Sequence, residues 1–374
     1  MRTGKSTFLV AIIVAMSVAV RILDATAQTG ASETLTPAAN EIKSLKKAGP
    51  PHDSSKLGIV ADFRNYTQML AANEVAALIA TGQETGPHGE AALHVVPMVG
   101  MGGFQNIRDV LTLAEADMSI VPVPLLDRAV VALGSDDLRE RIVYLAPLFE
   151  EEFHLLTNLS IRNIKQLAGK TVNLGVTNSA EDVLGREIFD RFGLDINVIN
   201  LDHIDALAAM RKGEIEADLL LADKPLNLLA KFNYEDGFRL IEIPRLHVLD
   251  KYFLPVTLTP DDYPNLIVPS TNVETIGTRS VLIAYNWPRG SDRYQLMDFF
   301  VRTLFSRFSE LPSGPNHPKW GDVPLATSLP GWKQFPPAKR WLDQREFESF
   351  LSERGIETPA DQTRLLQDLL RSRK

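Results

Sequence analysis

Residues 141–179 read RIVYLAPLFEEEFHLLTNLSIRNIKQLAGKTVNLGVTNS. The order of residue types predicts an apolar strand, an acidic crossing, a second strand, a short helix, a Gly-Lys turn and a buried strand at 171–175. That last strand leads into a helix start at Asn178-Ser179, where a small polar side chain can cap free backbone N–H groups. A strand that leaves one sheet, crosses, and opens a new βα unit is how a chain passes through the hinge of a two-lobed α/β protein.

Outward from this stretch, short apolar runs alternate with amphipathic ones, the pattern of an α/β fold with mostly parallel strands. Before it, strands are expected at 57–61, 93–96 and 118–121, with helices at 68–80, 105–114 and 124–133. After it come strands at 171–175, 197–201, 217–221 and 238–243, with helices at 180–192, 204–212 and 225–232. A long β-rich run at 273–286 returns the chain to the first lobe, followed by a helix at 294–311. The expected fold is therefore two-lobed, with two open, mostly parallel sheets joined by two hinge crossings. Ligands of such sheets sit on the loops at the carboxyl ends of the strands.

The ends and the composition set the compartment and exclude several classes. Arg2 and Lys5 precede an apolar run at 7–20, and Ala25-Thr26-Ala27 offers small residues before Gln28. This predicts an export signal at 1–27 and a periplasmic location, with no membrane insertion after cleavage. Residues 28–56 lack a hydrophobic period and read as a flexible leader. Removing the signal takes the net charge from −8 to −10, a surface unsuited to nucleic acid. With no cysteine in 374 residues, disulfides, thiol nucleophiles and Cys-ligated metals are excluded.

No pattern demands catalysis. The histidines at 52, 88, 94, 154, 203, 247 and 317 form no metal-ligand spacing. His154 stands beside Glu150, Glu151 and Glu152; at a hinge crossing this cluster is expected to be a solvated strand edge. Gly100-Met101-Gly102-Gly103 lacks the third glycine of a dinucleotide loop, since position 105 is Gln. Its glycines still permit close backbone approach, and the N–H groups of the following helix can meet an anion. No cofactor and no metal are expected. Lys224, in the Asp223-Lys224-Pro225 turn, can meet an anionic ligand or a neighbouring acid.

The phrases LAPLF-x-E-x-x-H at 145–154, GK-x-V at 169–172 and GMGGFQNI at 100–107 resemble those of the TAXI-type solute receptors of tripartite (TRAP) transporters. So do LPVTLTPDDYPNLI at 254–267, YNWPRGSDRY at 285–294, NHPKW at 316–320 and LPGW at 329–332. The resemblance covers about residues 57–345 and is to a subgroup with a long C-terminal wrap, which is expected to pack on the first lobe through its tryptophans. It implies a periplasmic-binding-protein-like (type II) receptor, not an enzyme, that passes a small carboxylate-bearing molecule to TRAP membrane subunits. The alternatives are a ligand-sensing partner of a membrane kinase and an enzyme on the same scaffold.

The implied layout is lobe 1 at 57–150, lobe 2 at 151–275, and a return to lobe 1 at 276–374. The implied contacts are Phe63, Arg64 and Tyr66 from the first loop and Gly102, Gly103, Phe104 and Gln105 from the second. Asn178 and Ser179 come from the third and Lys224 from the fourth. Arg64 and Lys224 would meet the carboxylate, with Phe63 and Tyr66 beside its apolar part. The loops also depart from the family: Asn178-Ser179-Ala180-Glu181 replaces Gly-Ser-Gly-Thr, Gly103 replaces a Ser, and 63–68 and 122–124 differ as well. A buried donor without its partner costs about 1–3 kcal/mol, so these exchanges imply a different, less polar ligand, or lost binding.

Overall fold

The structure is a computed structural model and describes residues 55–81, 92–132, 137–232 and 236–353. The expected export signal, nearly all of the leader, His52 and His88 lie outside these residues.

The first group of elements is β1 (Lys56–Asp62), α1 (Tyr66–Ala80), β2 (His94–Gly100), α2 (Gly103–Thr112), β3 (Ala116–Pro122) and α3 (Val123–Ala132). The chain then enters β4 (Ile142–Asn158), a single strand of 17 residues. The second group is β5 (Thr171–Asn173), α4 (Ala180–Arg191), β6 (Asn197–Ile199), α5 (His203–Lys212), β7 (Ala217–Ala222), β8 (Phe238–Ile241) and β9 (Leu254–Leu258). β10 (Val273–Tyr285) runs back, and α6 (Asp292–Ser306) and α7 (Pro336–Glu353) follow it. The α/β class and the two long crossings are those expected from the sequence. The expected helix at 225–232 is only the turn Asn227–Ala230, which buries Leu229 alone and so has no apolar face to extend.

The sheet order is β2-β1-β3-β10-β4-β7-β5-β6, with β8 on β4 and β9 on β10. β1 is parallel to β2 and β3, and β5 is parallel to β6 and β7. β4 and β10 are antiparallel to each other and to their outer neighbours. The two expected sheets therefore share one hydrogen-bonded ladder, because both crossings are extended strands that pair side by side. A register shift lies in β10 between Arg279 and Val281, opposite β4 between Glu150 and Pro147, where added twist lets each half face its own helices.

Three apolar clusters follow from the alternation of side chains along these strands. One joins Ile107, Leu125, Tyr144, Phe153, Leu184 and Val281, spanning both groups. A second packs α1 and α6 on Leu57, Ile59, Leu145 and Phe149. A third holds α5 against Leu156, Leu220 and Tyr263.

The Trp-rich stretch before α7 is anchored as its composition suggests. Trp320 is buried edge-on to Phe149 and Phe308 and donates its indole N–H to Glu74 at 2.6 Å. Trp332 stacks under Arg139, and Trp341, within α7 itself, meets Phe305 of α6.

α6 is tied to the sheet by a buried ion pair. Arg293 Nε donates to Asp117 Oδ1 at 2.7 Å and its Nη2 meets the other oxygen, which also accepts from the Gly58 amide. Removing one partner strands a buried charge, which costs about 3–5 kcal/mol. Arg293→Met should lower unfolding stability by that amount in urea titrations, without changing the far-UV spectrum at zero denaturant.

Candidate functional site

The loops that follow β1, β2, β5 and β7 meet at the junction between the two strand groups. Asn65 caps α1: its Oδ1 accepts from the Gln68 amide at 3.1 Å. That role orients the amide, so Nδ2 is free to donate to Glu151 Oε1 at 2.5 Å and to the Leu221 carbonyl at 3.3 Å. Gln68 and Ser280 also donate to the Glu151 carboxylate. Glu151 is wholly buried and receives no cation in this cage, so burial pushes its pKa up to about 7, the three donors opposing.

The same crossing overturns the expected solvated edge. Glu151, Glu152 and His154 are all buried, because β4 has β10 on one side and β7 and β8 on the other. His154 shares a hydrogen bond of 2.7 Å with the Tyr263 hydroxyl, and burial pulls its pKa down to about 4. Burial pushes Glu152 up to about 7 although Lys319 lies 2.8 Å away.

Lys319 belongs to the Trp-anchored segment, and so does His317, whose Nε2 is 2.6 Å from Asp223. Thr67 bonds to the same carboxylate. Burial would raise the Asp223 pKa, but His317 and Thr67 hold it below the usual value. The C-terminal wrap thus reaches past the first group and clasps β7 and β4.

The other side of the junction is a backbone contact. Phe104 N–H donates to the Asn178 carbonyl at 3.3 Å. Gly103 has φ +56, and a Cβ there would stand 1.9 Å from that carbonyl oxygen, so glycine alone permits the approach. Asn178 itself has φ +65, and its amide donates to Asp182 Oδ2 at 2.9 Å. Ser179 caps α4 through Asp182 N–H at 3.2 Å, as expected. Beneath this loop His203 lies 3.0 Å from Asp218 and 3.9 Å from Glu181. Burial would lower the His203 pKa, but the two carboxylates hold it well above the usual value.

Beyond the Phe104–Asn178 contact opens a groove of about 1490 Å³ between α2 and α3 on one side and α4 on the other. Gly102, Phe104, Gln105 and Asn178 line it, while Gly103 and Ser179 sit at the contact. Arg64 lies at the first loop, paired with Asp62 at 3.2 Å and bonded to the Met101 carbonyl. Phe63 and Tyr66 there are exposed. Lys224 is bonded to the Thr257 carbonyl and Asp262, and shares neither partner with the other nine. Arg128 of α3 grips Glu187 of α4 with bonds of 2.5 and 2.8 Å, bridging the groove. No motif marks that pair, since each residue reads as a solvated charge on an amphipathic helix.

Among the described residues no group of three His, Cys, Asp or Glu side chains could hold a metal ion, and no helix is long and apolar enough to cross a membrane.

A family model for the NMT1-like family matches residues 73–324. The chain belongs to the NMT1-like family. No curated protein matches it. Among solved structures it is similar to XAC2383 from Xanthomonas citri bound to ATP, at 12% identity and a TM-score of 0.44 over 78% of this chain and 95% of that one. It is also similar to the alkanesulfonate-binding protein SsuA from Xanthomonas axonopodis pv. citri bound to MOPS, at 14% identity, TM-score 0.39, and 79% and 85% coverage. A third is ArtJ, the arginine-, lysine-, histidine-binding protein from Geobacillus stearothermophilus, at 12% identity, TM-score 0.38, and 68% and 92% coverage. At these identities none of the three speaks to the ligand of this NMT1-like chain.

Two measurements test the junction. A carboxylate whose folded pKa is raised favours the native state below its unfolded pKa and loses that contribution as pH rises through the folded one. Between pH 4.5 and about 7, native stability should therefore fall relative to Glu151→Gln, by about 3 kcal/mol in full. Parallel stability–pH curves for the two proteins would contradict the buried, cation-free carboxylate. Gly103→Ala must part the loop contact, and exchange of the Phe104 amide should accelerate about fivefold, the loss of about 1 kcal/mol of closure. Hydrogen-exchange mass spectrometry on the two proteins reads this directly.

Proposed function

We propose that this protein is an exported, two-lobed solute-binding receptor that captures a small carboxylate-bearing molecule between its lobes and presents it to the membrane subunits of a TRAP-type transporter. Lobe 1 comprises residues 57–150 and 276–374, and lobe 2 residues 151–275. The observation that carries the reading is the groove between α2, α3 and α4, to which loops of both strand groups contribute residues expected to hold ligand. Membership of the NMT1-like family supports it, as do the phrases resembling TAXI-type receptors. The apolar run and small-residue site at the N-terminus support export to the periplasm.

In this reading Phe104, Gln105 and Asn178 touch the ligand, Arg128 faces its anionic group, and Phe63, Arg64 and Tyr66 border the mouth. Lys224 serves the turn after β7 through Asp262. The junction of Asn65, Glu151 and Asp223 acts as the hinge side, where groups that could have met a polar solute bond to each other instead.

Native mass spectrometry of the mature protein purified from its own periplasm should show a co-purified small anion. A protein that arrives empty and shows no thermal shift across a metabolite library would sink the receptor reading.

A further inference from the structure

The groove has three properties that a receptor for a small polar solute does not need. The first is size: about 1490 Å³ exceeds the ~300–1,000 Å³ of ordinary ligand pockets. A molecule as small as an amino acid would leave most of it to water. The second is an apolar lining that solvent now covers. Val99, Met101, Val131 and Val248 are 73%, 55%, 81% and 60% exposed, and all four line this groove. Single exposed aliphatics are ordinary on a protein surface, but four that line one concavity give it apolar surface that a ligand can cover.

The third property is charge. Six Arg and Lys side chains line the groove against four Asp and Glu, a net of two positive charges in a chain whose total is −8. The excess is concentrated at one end. Arg128 and Arg191 share Glu187, at 2.5 and 3.9 Å. Arg128 lies 4.1 Å and Lys251 4.6 Å from the centre of the Tyr252 ring. The next acid, Asp127, is bound to Arg139 at 2.8 Å. Arg128 and Arg191 thus share one carboxylate, with Lys251 at the same Tyr252 ring and also within the field of Asp127, and a second anionic group placed beside Arg128 and Arg191 would be attracted.

We infer that the groove takes an elongated amphiphilic anion: one carboxylate at the end of an aliphatic body. The inference rests on the receptor reading and names its substrate class. The carboxylate docks at the Arg128–Arg191–Lys251 end, and the body lies along Val99, Met101, Val131 and Val248. Each methylene that leaves water on this surface adds to affinity, so chain length is the property selected.

Calorimetric titration of the delipidated mature protein with dodecanoate, acetate and dodecyltrimethylammonium tests this. Dodecanoate should bind more than ~100-fold more tightly than acetate, through buried methylenes. The ammonium amphiphile should bind at least about tenfold more weakly than dodecanoate, the cost of reversing the head-group charge. Lys251→Glu and Arg191→Glu both alter exposed side chains and should each weaken dodecanoate about tenfold with unchanged circular dichroism. Equal binding of both amphiphiles, or dodecanoate affinity indifferent to both substitutions, would overturn the inference. If dodecanoate fails while native mass spectrometry finds another solute, the substrate class falls and the receptor reading stands. If dodecanoate binds as expected but deleting this protein's gene leaves dodecanoate uptake by the cells unchanged, the class stands and the delivery role falls.

Discussion

The antiparallel pairing of β4 with β10 is the constraint on which the rest of the structure depends. Each strand runs through both groups, so every residue near the crossing has a hydrogen-bonded neighbour on both sides. A polar side chain placed there cannot reach water along a sheet edge. Glu151, Glu152 and His154 are consequently interior groups, and each has to be satisfied by the protein itself. Asn65, Gln68 and Ser280 do this for Glu151 and Lys319 for Glu152, while Tyr263 bonds to Nε2 of His154 and leaves its buried Nδ1 without a hydrogen bond.

Those partners come from distant parts of the chain, which couples elements that the sheet alone would leave independent. Asn65 joins the start of α1 to β4 and to the end of β7. His317 and Lys319 bring the Trp-anchored segment onto Asp223 and Glu152. Trp320 fixes that segment by packing on Phe149 of β4 and bonding to Glu74 of α1. Closure of the junction on this side is therefore maintained by side chains of the protein. On the other side, the Gly103–Asn178 approach is the point where the groove begins. Position 103 carries glycine for a steric reason, since a Cβ there would collide with the Asn178 carbonyl.

Much of this was legible in the sequence, though unevenly. The two crossings were visible because long apolar runs flanked an acidic interruption at 150–152 and because 273–286 is rich in β-branched residues. Helix starts at Gln105 and Ala180 were visible from glycine and Ser179 signals; the first is found two residues earlier, at Gly103, and the second at Ala180. The hydrophobic alternation did not reveal β9, which is only partly buried. Nor did it reveal α7, whose exposed faces give it no clear apolar stripe. The Arg128–Glu187 bridge was invisible because its partners lie 59 positions apart on helices that individually look solvated.

The sequence by itself determined the α/β class, most of the order of the elements and the helix starts on either side of the Phe104–Asn178 contact. These follow from local periodicity, capping residues and turn chemistry, all carried by neighbours in the chain. Tertiary structure alone decided which charges are buried, which are spent on one another, and where open volume remains. Arg64 and Lys224 read as ligand cations, yet each is bonded to a carboxylate of its own surroundings. Three glutamates and a histidine read as a wet edge, yet all but Glu150 are interior. Desolvation and pairing depend on what packs against a side chain from elsewhere in the fold, and no local pattern encodes that.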